Sequence, residues 1–132
     1  MTKIAERLLL TGAVPVLLVR DVRRAATFYQ EKLCFRIDFL HGVPPFYGSV
    51  SRDGARMHLR FVHEPYFAEL AQREESLIAA FIEVSNAKAL FTEFESRAVA
   101  FAQGLVNQVW GGIDFQVRDP DGNRICFAEY RD

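Results

Sequence analysis

The sequence predicts an α+β fold built from two βαβββ modules. Three observations lead there. The chain repeats itself at a spacing of about 65 to 68 residues. Each copy opens with a hydrophobic strand that runs into a helix-start signal. Each copy closes with an Asp-Gly pair between two strand-like runs.

In chain order, the first strand is Val14-Pro15-Val16-Leu17-Leu18-Val19, and its counterpart is Ile78-Ala79-Ala80-Phe81-Ile82-Glu83-Val84. Phe81 is expected in the core. Asp21 follows the first strand and Ser85-Asn86 the second. Side-chain oxygens there accept the free N–H groups of a first helical turn. Apolar residues then fall at helical spacing, at Val22, Ala25, Ala26, Phe28, Tyr29 and Leu33, and later at Ala87, Leu90, Phe91, Phe94 and Val99. The runs Ser51 to Phe61 and Arg118 to Glu129 close the two copies. In each, glycine's tolerance of positive φ is expected to serve the turn, at Asp53-Gly54 and Asp121-Gly122. The halves span about 11–64 and 76–130 of one domain, 1–132. Glu64 to Ser76 connects them, with a short helix expected from Tyr66 to Arg73.

Composition narrows the function classes. Half of the 132 residues are apolar, 12 of them Phe, which supports a packed core. A net charge of −1 provides no field for nucleic acid or anionic lipid. No window reaches the roughly 18 apolar residues of a membrane span. The opening Met1 to Leu10 carries charges and lacks a cleavage pattern, so it is not read as a signal peptide. Cys34 and Cys126 lie far apart, as reduced, buried thiols of a cytoplasmic protein would. There is no Gly-x-Ser-x-Gly elbow, phosphate-cradling glycine loop or Cys-x-x-Cys.

Candidate binding residues come from the aromatic and polar pattern. Phe35, Phe39, Phe46, Tyr47, Tyr66, Phe67 and Trp110 fall in the least regular stretches. His41-Gly42-Val43-Pro44-Pro45-Phe46-Tyr47-Gly48 is expected to be irregular and to present Phe46 and Tyr47, either as flat ligand-stacking surfaces or as loop anchors. In Met57-His58-Leu59-Arg60-Phe61, alternation sends His58 and Arg60 away from the apolar face, toward solvent or a groove. Asp114, near Trp110, points into a groove or to the surface. Asp119 and Asp121 are explained by their turn.

Val19-Arg20-Asp21-Val22 before a helix containing Phe28-Tyr29, together with Arg118-Asp119-Pro120-Asp121-Gly122-Asn123-Arg124-Ile125, resembles the glyoxalase / bleomycin resistance / dioxygenase superfamily, also called vicinal oxygen chelate. The resemblance runs from about Thr11 to Glu129. It is nearest to the superfamily's bleomycin-binding resistance proteins. Ala13-Val14-Pro15-Val16-Leu17, Arg20-Asp21-Val22 and Asp38-Phe39 read like their opening, and Trp110-Gly111-Gly112-Ile113-Asp114-Phe115 like their closing half. The resemblance implies curved mixed sheets with helices outside, a homodimer, and grooves at its interface. It also implies an exchanged amino-terminal arm, with Pro15 in the first strand. Trp110, matching their Trp-Gly, becomes a lining residue. The implied ligand is small and planar, in the bleomycin case cationic. Those binders are markedly acidic, whereas here 16 basic residues nearly balance 17 acidic ones. The candidate ligand-binding set is Phe39, Phe46, Tyr47, His58, Arg60, Trp110 and Asp114.

Metal-dependent relatives place ligands on the first and last strands of each half. Counting along this sequence puts those slots at Val14, His58, Ala79 and Cys126. Two are aliphatic, and a catalytic metal wants three protein ligands. No metal, cofactor or catalytic residue is therefore expected. The expected function is metal-free small-molecule binding of the antibiotic-sequestering kind. Its rivals are a metal-dependent lyase, isomerase or dioxygenase, or a binder of another metabolite.

Overall fold

The computed structural model describes residues 7–131. Eight strands and three helices follow one another as β1 (Val16–Val19), α1 (Val22–Leu33), β2 (Arg36–Gly42), β3 (Pro45–Arg52), β4 (Ala55–Phe61), α2 (Phe67–Arg73), β5 (Ala80–Glu83), α3 (Ala87–Ser96), β6 (Phe101–Asn107), β7 (Gly112–Arg118) and β8 (Arg124–Tyr130). They form two four-stranded mixed sheets, ordered β1-β4-β3-β2 and β5-β8-β7-β6. In each, the first strand runs parallel to the last and the other pairings are antiparallel.

The repeat is visible in the register. Val16 and Ser49 flank His58, while Phe81 and Gln116 flank Cys126. Both opening strands start later than expected, at Val16 and Ala80. Pro15 and Ala79 still reach the sheets, through Pro15 O accepting from His58 N and Ala79 N donating to Arg124 O, both beyond the strand ends. Asp21 caps α1 by accepting from Arg24 N at 3.0 Å, and Asn86 caps α3 by accepting from Ala89 N at 3.0 Å.

The two Asp-Gly pairs do join equivalent strands, β3 to β4 and β7 to β8. Their turns differ, since two residues, Asp53 and Gly54, make the first and five, Asp119 to Asn123, the second. In the first it is Asp53 that takes the positive φ, 51°, whereas Gly122 takes it in the second, at 82°. Aspartate enters that region more readily than most residues, so glycine is not the pivot expected at Asp53-Gly54.

Three further expectations are corrected. His41 to Gly48 is a hairpin: β2 and β3 leave only Val43-Pro44 between them, and Pro45, which has no N–H to contribute, starts a strand. Cys34 is exposed, at the left-handed end of α1, and only Cys126 is buried. Phe81 is 45% exposed, because Ala80 and Ile82 take the inner face of β5 and alternation turns Phe81 outward.

Helices back one face of each sheet. Val22, Ala25, Ala26, Tyr29 and Leu33 of α1 are buried with Leu17, Val19, Val50, Met57 and Leu59. In the second half Phe94 of α3 sits edge-on to Phe115 and Phe127, whose rings stack at 5.3 Å. The halves are tied by Tyr29 donating to Asp119, Asn123 Nδ2 donating to Leu18 O, Arg20 N donating to Asp121, and Arg52 paired with Glu93. Among the described residues no helix is long and apolar enough to cross a membrane.

Candidate functional site

The other face of each sheet carries no helix, and most of the candidate residues lie there. On the first sheet, Tyr47 Oη and His58 Nδ1 share a hydrogen bond of 2.8 Å. Phe39 meets the His58 ring edge-on, 6.1 Å between centroids. Arg60 is the register partner of Tyr47, one step along the strand on the same side as His58. A bulge between Ile37 and Phe39 lets Asp38 also reach this side, where it accepts from Ser49 at 2.8 Å and Ser51 at 2.7 Å. Burial pushes the Asp38 carboxyl up, but the hydrogen bonds from Ser51, Ser49 and Arg36 outweigh it and hold the group below its ordinary value.

On the second sheet, Trp110 stands in the turn between β6 and β7, with Gly111 at φ 96°. Its ring lies over Gly112, where a Cβ would collide with it, and 5.0 Å from the Tyr130 ring. Phe81 lies 6.3 Å beyond Tyr130, extending an aromatic surface. Below it Asp114, only 6% exposed, accepts from Gln103 at 2.7 Å and Gln108 at 2.9 Å. Burial first, then the Asp114 carboxylate, push the neighbouring Cys126 thiol up to about 12.

The expected set thus divides in two. Phe39, Tyr47, His58 and Arg60 gather on the first open face, and Trp110 and Asp114 on the second. Among the described residues no hydrogen bond or aromatic contact links the two groups. Phe46 has no hydrogen bond or ring contact with either group among the described residues; its ring lies 5.2 Å from that of His41. Sequence reading missed Phe81, Tyr130, Asp38, the two serines and the glutamines. Strict period-two counting along β5 and β8 places Phe81, Cys126 and Tyr130 on one face.

The register also moves the metal slots. Val16, not Val14, stands beside His58, and Phe81, not Ala79, beside Cys126. Valine and phenylalanine cannot ligate, and a thiol with its pKa near 12 is a poor source of thiolate. Among the described residues no three His, Cys, Asp or Glu side chains are grouped for a metal ion. The donor set does not fit a catalytic metal.

Two helix-backed sheets with open, partly aromatic faces define a class of α+β domains. This chain belongs to the Glyoxalase/Bleomycin resistance protein/Dioxygenase superfamily, whose pattern it matches over residues 12–127. No curated protein matches the sequence. Among solved structures, it resembles the bleomycin-binding protein of Streptomyces verticillus complexed with copper(II)-bleomycin. That likeness has 27% identity and a TM-score of 0.73, over 96% of this chain and all of the other. The bleomycin resistance determinant encoded on transposon Tn5 is 21% identical, with a TM-score of 0.72, over 92% of this chain and 99% of its own. A glyoxalase-related enzyme from Clostridium phytofermentans is 18% identical, with a TM-score of 0.74, over 94% of this chain and 98% of its own. These last two show the fold alone.

Proposed function

We propose that the chain is a metal-free, cytoplasmic binding protein that sequesters a planar small molecule, with bleomycin-type antibiotics the first candidates. The observation that carries the reading is the surface made by Trp110, Tyr130 and Phe81, each substantially exposed on a face no helix covers. Such clustered aromatics mark a ligand or protein contact. The bleomycin complex of the Streptomyces verticillus protein supports the choice of ligand. A homodimer accounts for the uncovered faces, with the first sheet of one copy supplying Phe39, Tyr47, His58 and Arg60 opposite the partner's second sheet. Leu8 and Leu10, fully exposed ahead of Pro15, support an exchanged arm.

The test is a thermal-shift titration with bleomycin, read together with tryptophan fluorescence. A ligand at a hundred times its Kd adds about 2.7 kcal/mol of stability. No shift at millimolar bleomycin rejects that drug and leaves another metabolite, a reading favoured by the near balance of 16 basic and 17 acidic residues. A metal retained at one per chain with fixed coordination would overturn the metal-free reading. A monomer at micromolar concentration by light scattering would overturn the shared groove.

A further inference from the structure

The pseudo-symmetry of the two halves is broken at one place, and a cleft results. β1 and β5 are equivalent edge strands. The end of β1 is covered by the long β7–β8 turn: Asn123 Nδ2 donates to Leu18 O at 3.0 Å, and Asp121 Oδ1 accepts from Arg20 N at 2.9 Å. Tyr29 fastens that turn through Asp119. In the other half the turn is the two-residue Asp53-Gly54, and Phe94, which cannot donate a hydrogen bond, stands where Tyr29 stands. Among the described residues nothing in that turn bonds to β5.

The space left open is a cleft of about 720 Å³, within the range of small-molecule sites. The segment from Phe81 to Asn86 forms one wall, and the partly exposed Ile82, Val84 and Leu90 give it apolar surface. Residues of an edge strand alternately turn their N–H and C=O groups toward the neighbouring strand and away from it. Half of those of β5 therefore face the cleft. Two guanidiniums stand in the wall, and each has a carboxylate of its own: Arg52 is paired with Glu93 at 2.7 Å and Arg56 with Asp38 at 3.9 Å. Asp53 and Glu83 also border the cleft, and neither has an ion-pair partner among the described residues.

We propose that this cleft binds a small peptide-like molecule. Its extended amide chain pairs with the free edge of β5, an apolar side group enters against Ile82, Val84 and Leu90, and an amine faces Asp53 and Glu83. Strand edges recruit amide chains in this way, and the local carboxylates select a cation. The cleft meets the aromatic surface only at Phe81 and is lined by neither Trp110 nor Tyr130.

The test uses the full chain, labelled with ¹⁵N, and the blocked dipeptide N-acetyl-phenylalanyl-lysine methylamide. Saturable shifts of backbone amides within residues 80–86 are expected. Methylating the lysine backbone nitrogen of the probe should weaken binding at least tenfold, as should the exposed, cleft-filling substitution Ala89→Phe. Asp53→Asn with Glu83→Gln should weaken it as well, while Trp110→Ala should not, which separates this site from the antibiotic reading. Absence of shifts in that segment at millimolar probe, or equal affinity for the methylated analogue, overturns the proposal. So does concentration-dependent protection of β5 amides from exchange without probe, since a second copy would then cover the edge.

Discussion

The Tyr29 hydroxyl donates to Asp119 Oδ2 at 2.9 Å, joining the helix of the first half to the last turn of the second. The same carboxylate accepts the backbone N–H groups of Asp121 and Asn123 and the Asn123 side-chain amide, so one buried acid organises both the turn and the contact between halves. Burial raises the Asp119 carboxyl above its ordinary value, with the hydrogen bonds of Asn123 and Tyr29 pulling the other way. Tyr29→Phe should cost about 1–3 kcal/mol of stability, the range for leaving a buried polar group short of a partner. A carboxyl raised in the folded state contributes stability that is present below its unfolded pKa and lost as pH rises through the folded one. Removing a donor to the ionised form adds to that loss. The cost of Tyr29→Phe should therefore be larger at pH 7 than at pH 4, as urea unfolding at both will show.

The Arg52–Glu93 pair carries the opposite sign. The Arg52 hydrogen bonds hold the Glu93 carboxyl below its ordinary value, against the effect of burial. Its contribution is present above the unfolded glutamate value and lost as pH falls through the folded one. Arg52→Gln should destabilise by about 1 kcal/mol at pH 7, with the difference from the parent shrinking below about pH 4. A pH-independent difference would show that Arg52 acts through its bond to Leu33 O instead.

Trp110→Ala tests the aromatic surface. Loss of one stacked or anchoring ring should weaken ligand binding by about 1–3 kcal/mol, roughly five- to hundredfold in Kd. Trp110 is 44% exposed, so folding should suffer little. The appropriate core comparison is Phe94→Ala, expected to cost about 3–5 kcal/mol. A large loss of stability with unchanged affinity would make Trp110 a structural plug.

Gly112→Ala disturbs the same ring without removing it. The added Cβ would meet the Trp110 ring and lie 2.7 Å from Glu129 O. The ring must leave Gly112 and Tyr130, so tryptophan emission should shift red and thermal stability should fall. An unchanged spectrum would mean that Trp110 does not rest on Gly112.

The two thiols should differ in reactivity. At pH 8 iodoacetamide should modify exposed Cys34 in the folded protein and spare Cys126, whose thiol is pushed up to about 12. Mass spectrometry should count one label per folded chain and two after denaturation. Rapid labelling of Cys126 in the folded chain would contradict its burial beside Asp114.

Local rules read from the sequence determined the repeat, the caps at Asp21 and Asn86, the equivalence of the two Asp-Gly pairs and the short helix ending at Arg73. The caps, the turns and the short helix each depend on residues within a few positions of one another, where backbone sterics and single hydrogen bonds decide, and the repeat is the same local signals met twice in the same order. Alternation also sufficed to turn His58 and Arg60 away from the core. What the sequence could not determine is which strand stands beside which, and at what offset. Those pairings brought Val16 and Phe81, rather than Val14 and Ala79, beside His58 and Cys126, and they placed Tyr130 next to Trp110. They also divided the candidate residues between two faces and left the edge of β5 open where that of β1 is covered. Register and packing are set by contacts between residues tens of positions apart, summed over whole sheets, so only the tertiary structure decides them.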